Sequence, residues 1–166
     1  MKLFFGIILC LPIIALLLVQ LIIGINWGID VTDRLKRAAV ANTIELATQE
    51  LQAVISYLEK EGITLGYTSV LYNTPDEDVG YWYQNLKGSL EELQKVSSQT
   101  TQLERTNILM KLRETILDDE AEGTKVTQPV GICLFPKNVQ YMWLGYLTLL
   151  LLIIGVVLIV WWVADR

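Results

Sequence analysis

Two uncharged apolar runs bracket this chain, Leu3 to Ile25 and Tyr141 to Ala164. As a helix rising about 1.5 Å per residue, each run reaches roughly 35 Å, more than a hydrocarbon core of about 30 Å. The sequence therefore predicts an all-α membrane protein. Residues 1–26 form a first transmembrane helix, 27–140 an insert, 141–164 a second transmembrane helix and 165–166 a short tail. Whatever the insert does, it does while tied to a bilayer at both ends.

The first run is expected to stay in place as an anchor. It is longer than the apolar core of a secretory signal, about 7–15 residues, and no small-x-small cleavage site follows it. Bulky Ile8 and Leu9 precede Cys10, which does not suit a lipoprotein site. Pro12 should kink this helix, and Trp27 falls where an interfacial aromatic anchor belongs. Gln20 is the one strongly polar side chain in either run, so it is the expected span-packing residue, able to hydrogen-bond another helix. No charge lies inside either run, so neither marks an ion path.

The insert is acidic. Lys2 and Arg166 lie outside it, leaving 11 of the 13 basic residues, and Asp165 leaves 17 of the 18 acids. That balance argues against nucleic acid, which needs a basic face, and against an anionic lipid surface. Cys133 is its only cysteine, so it holds no internal disulfide framework. Counted literally, the Lys and Arg flanking the runs would place the insert in the cytoplasm. An insert of this length crosses largely regardless of charge, however, and Lys2 followed at once by an apolar run has the form of a signal anchor. The expectation is a two-pass chain with cytoplasmic termini and an extracytoplasmic insert.

Within the insert the periodicity is mainly helical. Val40, Ile44, Ala47, Leu51, Val54 and Leu58 step by three and four along one helix from Val31 to Glu61, with Gly62 as its stop. Asp30 or Thr32 is its expected cap. Thr74 and Pro75 open a second helix reaching Val96, with Val79, Trp82, Leu86, Leu90 and Leu93 on its seam. After a turn at Ser97–Thr100, a third runs from Thr101 to Glu122, with Leu103, Leu109, Leu112 and Ile116 on one face. Residues 63–73 and 124–136 are rich in β-branched and aromatic residues. Ser69–Tyr72 and Ile132–Phe135 are the expected partners of a short β-like ribbon. The fold class is thus two transmembrane helices flanking a bundle of about three helices with a short ribbon. In arrangement alone, this layout resembles the sensor region of chemoreceptor-type proteins.

No catalytic motif appears. The chain has no His, no Gly-x-Ser-x-Gly, no phosphate loop and no Cys-x-x-Cys. Asp76-Glu77-Asp78 does not make a calcium loop, because glycine comes one place early at Gly80 and Lys87 stands at the closing Glu position. These acids suit a helix amino terminus instead. Two patches stand out as candidate partner or ligand surfaces. One is the aromatic set Tyr67, Tyr72, Tyr81, Trp82 and Tyr83, which suits either an interface or a small core. The other is Asp118, Asp119 and Glu120, acids at a helix carboxyl end that a cation or basic partner would offset. The expected function is a non-enzymatic accessory or scaffold subunit that needs no cofactor and packs on copies of itself or on other membrane subunits. The alternative is a ligand-sensing or binding module.

Overall fold

The computed structural model describes residues 2–69, 73–97, 99–120, 123–133 and 139–165. It is mostly helical, with one small two-stranded sheet. Two long helices, α1 (Lys2–Trp27) and α6 (Val139–Ala164), carry the apolar runs and lie against each other. Both are long and apolar enough to cross a membrane. Their outward side chains, such as Leu18, Leu21, Val157 and Val160, are exposed.

Helix α1 does not stop at the edge of the insert. It passes through a π-helical segment, Gly28–Thr32, into α2 (Asp33–Ala39). Neither Asp30 nor Thr32 caps a new helix there, because the backbone never leaves the helical region: Trp27, Thr32 and Asp33 all keep helical torsions. Trp27 is also not the lipid-facing anchor expected from its position. It is 1 % exposed and forms one buried row with Val31 and Leu35. The insert covers this row, and its indole NH finds a partner in the Gln128 side chain.

The single helix expected from Val31 to Glu61 is two. It breaks after Ala39, and α3 (Ile44–Glu61) starts afresh with Thr43, whose hydroxyl accepts the Leu46 amide at 3.3 Å. A Thr cap of this kind offers the backbone a local bond that competes with continuing the helix. Val40 therefore drops out of the seam and is 67 % exposed, while Ile44, Ala47, Leu51, Val54 and Leu58 are buried. Gly62 ends α3 in the left-handed region at φ 69°.

Helix α4 (Val79–Gln94) begins later than Pro75. Pro75–Glu77 form a 3-10 turn, and Asp78 is the cap, accepting the Tyr81 amide at 2.9 Å. Its five seam residues are all buried. A turn closes from the Thr100 amide to the Ser97 carbonyl. Helix α5 (Gln102–Ile116) then opens with a capping box between Thr101 and Glu104. Leu112 and Ile116 are buried, but Leu103 is 71 % exposed and faces away from the bundle.

Helix α5 ends at Ile116, not Glu122. Asp118–Glu120 belong to strand β1 (Leu117–Glu120), paired antiparallel with β2 (Gly123–Val126). Three successive acids would repel the carbonyl end of a helix, and Gly123, at φ 125°, permits the chain to fold back. Among the described residues the two-stranded ribbon is Leu117–Glu120 with Gly123–Val126, and the expected pairing of Ser69–Tyr72 with Ile132–Phe135 falls largely outside them. Ile132 lies in a turn, its amide bonded to the Pro129 carbonyl. Tyr67 pairs only through an isolated bridge to Asp78. Residues 70–72 and 134–138, which include Tyr72, Leu134 and Phe135, lie outside the described residues.

The core is continuous. Trp27, Val31 and Leu35 from the α1–α2 rod meet Leu51 and Leu58 of α3, Trp82 and Leu86 of α4, Ile116 of α5, and Ile132. One charge sits at its edge. Glu50, only 7 % exposed, lies on the buried side of α3 and pairs with Arg34 at 3.2 Å and with Arg37. Both arginines belong to α2, so this pair of bridges fixes α3 to the rod that leads from α1.

Candidate functional site

Trp82 stands on the wall of a concavity in the insert. Its ring is buried against Trp27, with centroids 6.3 Å apart and planes tilted by 34°. Its indole NH donates to the Thr127 carbonyl at 2.8 Å. The next residue, Gln128, accepts from Trp27 Nε1 at 3.1 Å and from Thr32 Oγ1 at 3.4 Å. The Val130 amide donates to the Asp76 carbonyl at 3.2 Å. These bonds hold the segment after β2 beside the start of α4. Between them runs a cleft of about 610 Å³.

The two sequence patches meet there. Asp76, Asp78, Tyr81 and Trp82 line one side, and Asp118 and Lys125 of the ribbon line the other. Tyr81, 68 % exposed, also borders a neighbouring hollow of about 370 Å³ shared with Tyr67, Asn73 and Asp76. Asp118 lies more than thirty positions from Trp82 in the chain, and the return of β1–β2 toward α4 brings them together. The carboxylates of Asp76 and Asp118 make no ion pair or side-chain hydrogen bond among the described residues. Acids outnumber the single lysine, so the cleft suits a cationic or strongly polar group better than an anion. Among the described residues no group of three or more His, Cys, Asp or Glu side chains converges on one point.

The aromatic patch does not act as one surface. Tyr83 faces away from the cleft, is buried, and donates from its hydroxyl to Glu59 at 2.7 Å. That hydrogen bond, then burial and the negative charge of Glu59, push the phenol up to about 12. Tyr72 lies outside the described residues. Asp119 and Glu120 are placed by backbone register alone, opposite Thr124 and Gly123.

A second feature lies on α1. Leu17, Gln20, Leu21, Gly24 and Ile25 line an open groove of about 410 Å³. Gln20 is half-buried and has no hydrogen-bond partner among the described residues. Gly24 lies in this lining, and Gly28 follows four residues later, outside it. A methyl group added at Gly28 would meet nothing within 4 Å, and at Gly24 only the Cys133 carbonyl at 4.0 Å.

The chain matches no family model, no curated protein and no solved structure.

Proposed function

We propose that this chain is a non-enzymatic, two-pass membrane-anchored accessory or scaffold subunit. In this reading α1 and α6 cross the bilayer, the termini are cytoplasmic, and the insert stands outside the cytoplasm. The observation that carries it is the unbroken passage of α1 into α2, with Trp27, Val31 and Leu35 in the insert core. An insert docked on the end of a membrane helix cannot swing freely. It presents its surface at a fixed height and angle to a neighbour in the same membrane. Such rigidity suits a part that holds or spaces other subunits. Cross-linking of the full chain in intact membranes, followed by gentle detergent extraction, tests it. A discrete oligomer or a stoichiometric complex is the expected result. A monomer that carries nothing with it would count against the proposal.

A second reading, a ligand-binding module, is favoured by one observation: acidic and aromatic residues from distant segments share the cleft beside Trp82. The buried indole on its wall gives a direct readout. A ligand of the cleft would change the tryptophan emission of the wild-type chain, and both Trp82→Phe and Asp118→Asn would weaken that response. Emission indifferent to every co-purified small molecule and to added amines would remove this reading.

A further inference from the structure

Gln128 belongs to two places at once. It lines the cleft beside Trp82. Its side-chain oxygen also accepts from Trp27 Nε1 at 3.1 Å and from Thr32 Oγ1 at 3.4 Å, on the rod that leads out of α1. Those two donors stand five positions apart in the chain. In an α-helix that separation is about 140° around the axis, too far for one acceptor to serve both. Here the turn between them is π-helical, and the Asp33 amide donates to the Gly28 carbonyl five residues back. The wider turn brings Thr32 over Trp27, within reach of a single oxygen. The two bonds and the π turn therefore support each other. Such a turn carries one residue more than an α turn and is a place where a helix kinks. Packing does not hold that extra residue: Ile29 is 58 % exposed, and a methyl group added at Gly28 would meet nothing within 4 Å.

We infer that Gln128 couples the cleft to α1, with the π turn Gly28–Thr32 as the joint that loosens when the cleft is filled. The mechanism is competition for one acceptor. Asp76 and Asp118 bring carboxylates to the cleft, so its fitting occupant is an organic cation, whose N–H groups are donors. An ammonium that donates to the Gln128 oxygen takes that oxygen from Trp27 and Thr32. The wide turn then loses the bonds that tie its two ends together. The neighbouring Thr127 holds the indole of Trp82 on the cleft wall, so one short segment meets the occupant on one side and α1 on the other. The inference rests on the ligand-binding reading and specifies how α1 would respond to an occupied cleft.

Hydrogen exchange at the backbone amides of residues 28–33, in the full chain in lipid nanodiscs, reads the state of the joint. Gln128→Leu should speed exchange there about 3- to 10-fold, the range of one hydrogen bond, and leave residues 47–58 of α3 unchanged. Gln128→Glu keeps the acceptor and should hold the turn as the wild type does. Spermidine and benzylammonium are the probes of the cleft, with tryptophan emission as the signal of binding. An amine that binds should speed exchange at residues 28–33 by a similar factor. Deletion of Ile29 separates coupling from a bond that is only structural. It converts the π turn to an α turn and leaves Trp27 and Thr32 four positions apart, on one face, where Gln128 still reaches both. That chain should still bind the amine, while its residues 28–33 exchange slowly and ignore it. An amine that binds without changing exchange at residues 28–33, or that changes it equally in the Ile29 deletion, would overturn the coupling and leave the ligand-binding reading standing. Unchanged exchange in Gln128→Leu would overturn Gln128 as the link. Emission and exchange indifferent to both amines would end the inference together with the ligand-binding reading.

Discussion

The rings of Trp27 and Trp82 lie 6.3 Å apart, and through them the last turn of α1 joins the core of the insert. Each indole NH is fixed by consecutive residues, Thr127 and Gln128, so one short segment locks both rings. Tyr57 meets the other side of Trp27 edge-on at 6.4 Å. The long apolar helix and the rest of the fold therefore share one packing unit.

That unit predicts a large effect from a residue at the end of the long apolar helix α1. Trp27→Ala should destabilise the insert by about 3–5 kcal/mol, the usual cost of emptying a buried aromatic site. Trp82→Phe should cost less, about 1–3 kcal/mol, chiefly by stranding the Thr127 carbonyl. Denaturant unfolding of the detergent-solubilised chain, followed by near-ultraviolet dichroism, measures both. A Trp27→Ala cost below about 1 kcal/mol would mean that this residue behaves as a lipid anchor after all.

The Glu50 bridges predict an ordered series. Glu50 is nearly buried and holds two guanidiniums, so Glu50→Gln removes the charge on which both depend. A loss of about 1–3 kcal/mol is expected, as for a charged group deprived of its partner. Arg37→Ala should cost under about 1 kcal/mol, because the Arg37 side chain is 70 % exposed and well solvated. Arg34, at 38 % exposure, should fall between. Stability curves for the three variants check the order, and a costlier Arg37→Ala would contradict it.

Tyr83 predicts a stability change at alkaline pH. Its phenol ionises near 10 in the unfolded chain and at about 12 in the folded one. The native state keeps the proton that the unfolded state gives up first. The stabilisation is therefore fully present below about pH 10 and is lost as pH rises through about 12. Unfolding free energies measured from about pH 8 to about 12 should fall across that window. The contribution of this phenol to the slope should vanish in Tyr83→Phe. Ultraviolet titration of the wild type should show one late-ionising tyrosine that is missing from Tyr83→Phe.

Two glycines should respond to the same substitution with opposite signs. Gly62 holds φ 69° at the end of α3, where a side chain strains the backbone, so Gly62→Ala should cost about 1–2 kcal/mol. Gly88 lies inside α4 with nothing near a new methyl group, so Gly88→Ala should gain up to about 1 kcal/mol. Thermal unfolding of the two variants settles the sign at each position. A gain at Gly62 would mean that the left-handed cap does not hold in solution.

Periodicity made the helices legible where one face alone was buried, as along Ile44–Leu58 and Val79–Leu93. It was weaker at ends. Thr43 and Val40 could not be separated from a continuous helix, because a local cap competes with propagation by about 1 kcal/mol. Asp118–Glu120 look like a helix end in the sequence, since strands this short carry little pattern and their pairing depends on Gly123 folding the chain back. The cleft was half legible: its aromatic and acidic halves stood out separately, and their meeting depends on the path of β1–β2. Trp27 was misplaced for a simpler reason. Proximity to an apolar run is the same for a lipid anchor and for a residue that the insert folds over.

The side of the membrane on which the insert lies is testable with a better probe than the native cysteine. Cys133 is half-buried, and its carbonyl lies 4.0 Å from the place where a side chain on Gly24 would begin. Its backbone therefore lies against the last turns of α1, and a membrane-impermeant maleimide should reach the half-buried thiol more slowly than an exposed one. Gln99 is exposed at the turn between α4 and α5. A Gln99→Cys variant, with both native cysteines replaced by Ser, should react in intact cells to the same extent as in detergent-opened cells if the insert stands outside. Labelling only after opening would place the insert in the cytoplasm, in agreement with the literal count of flanking Lys and Arg. In opened cells, native Cys133 of the wild-type chain should react at least about tenfold more slowly than the cysteine of the Gln99→Cys variant if its site stays closed for most of the time, since modification follows the open population. Equal rates at the two positions would show that residues 131–133 leave α1 readily, and the packing of that segment on Gly24 would have to be given up.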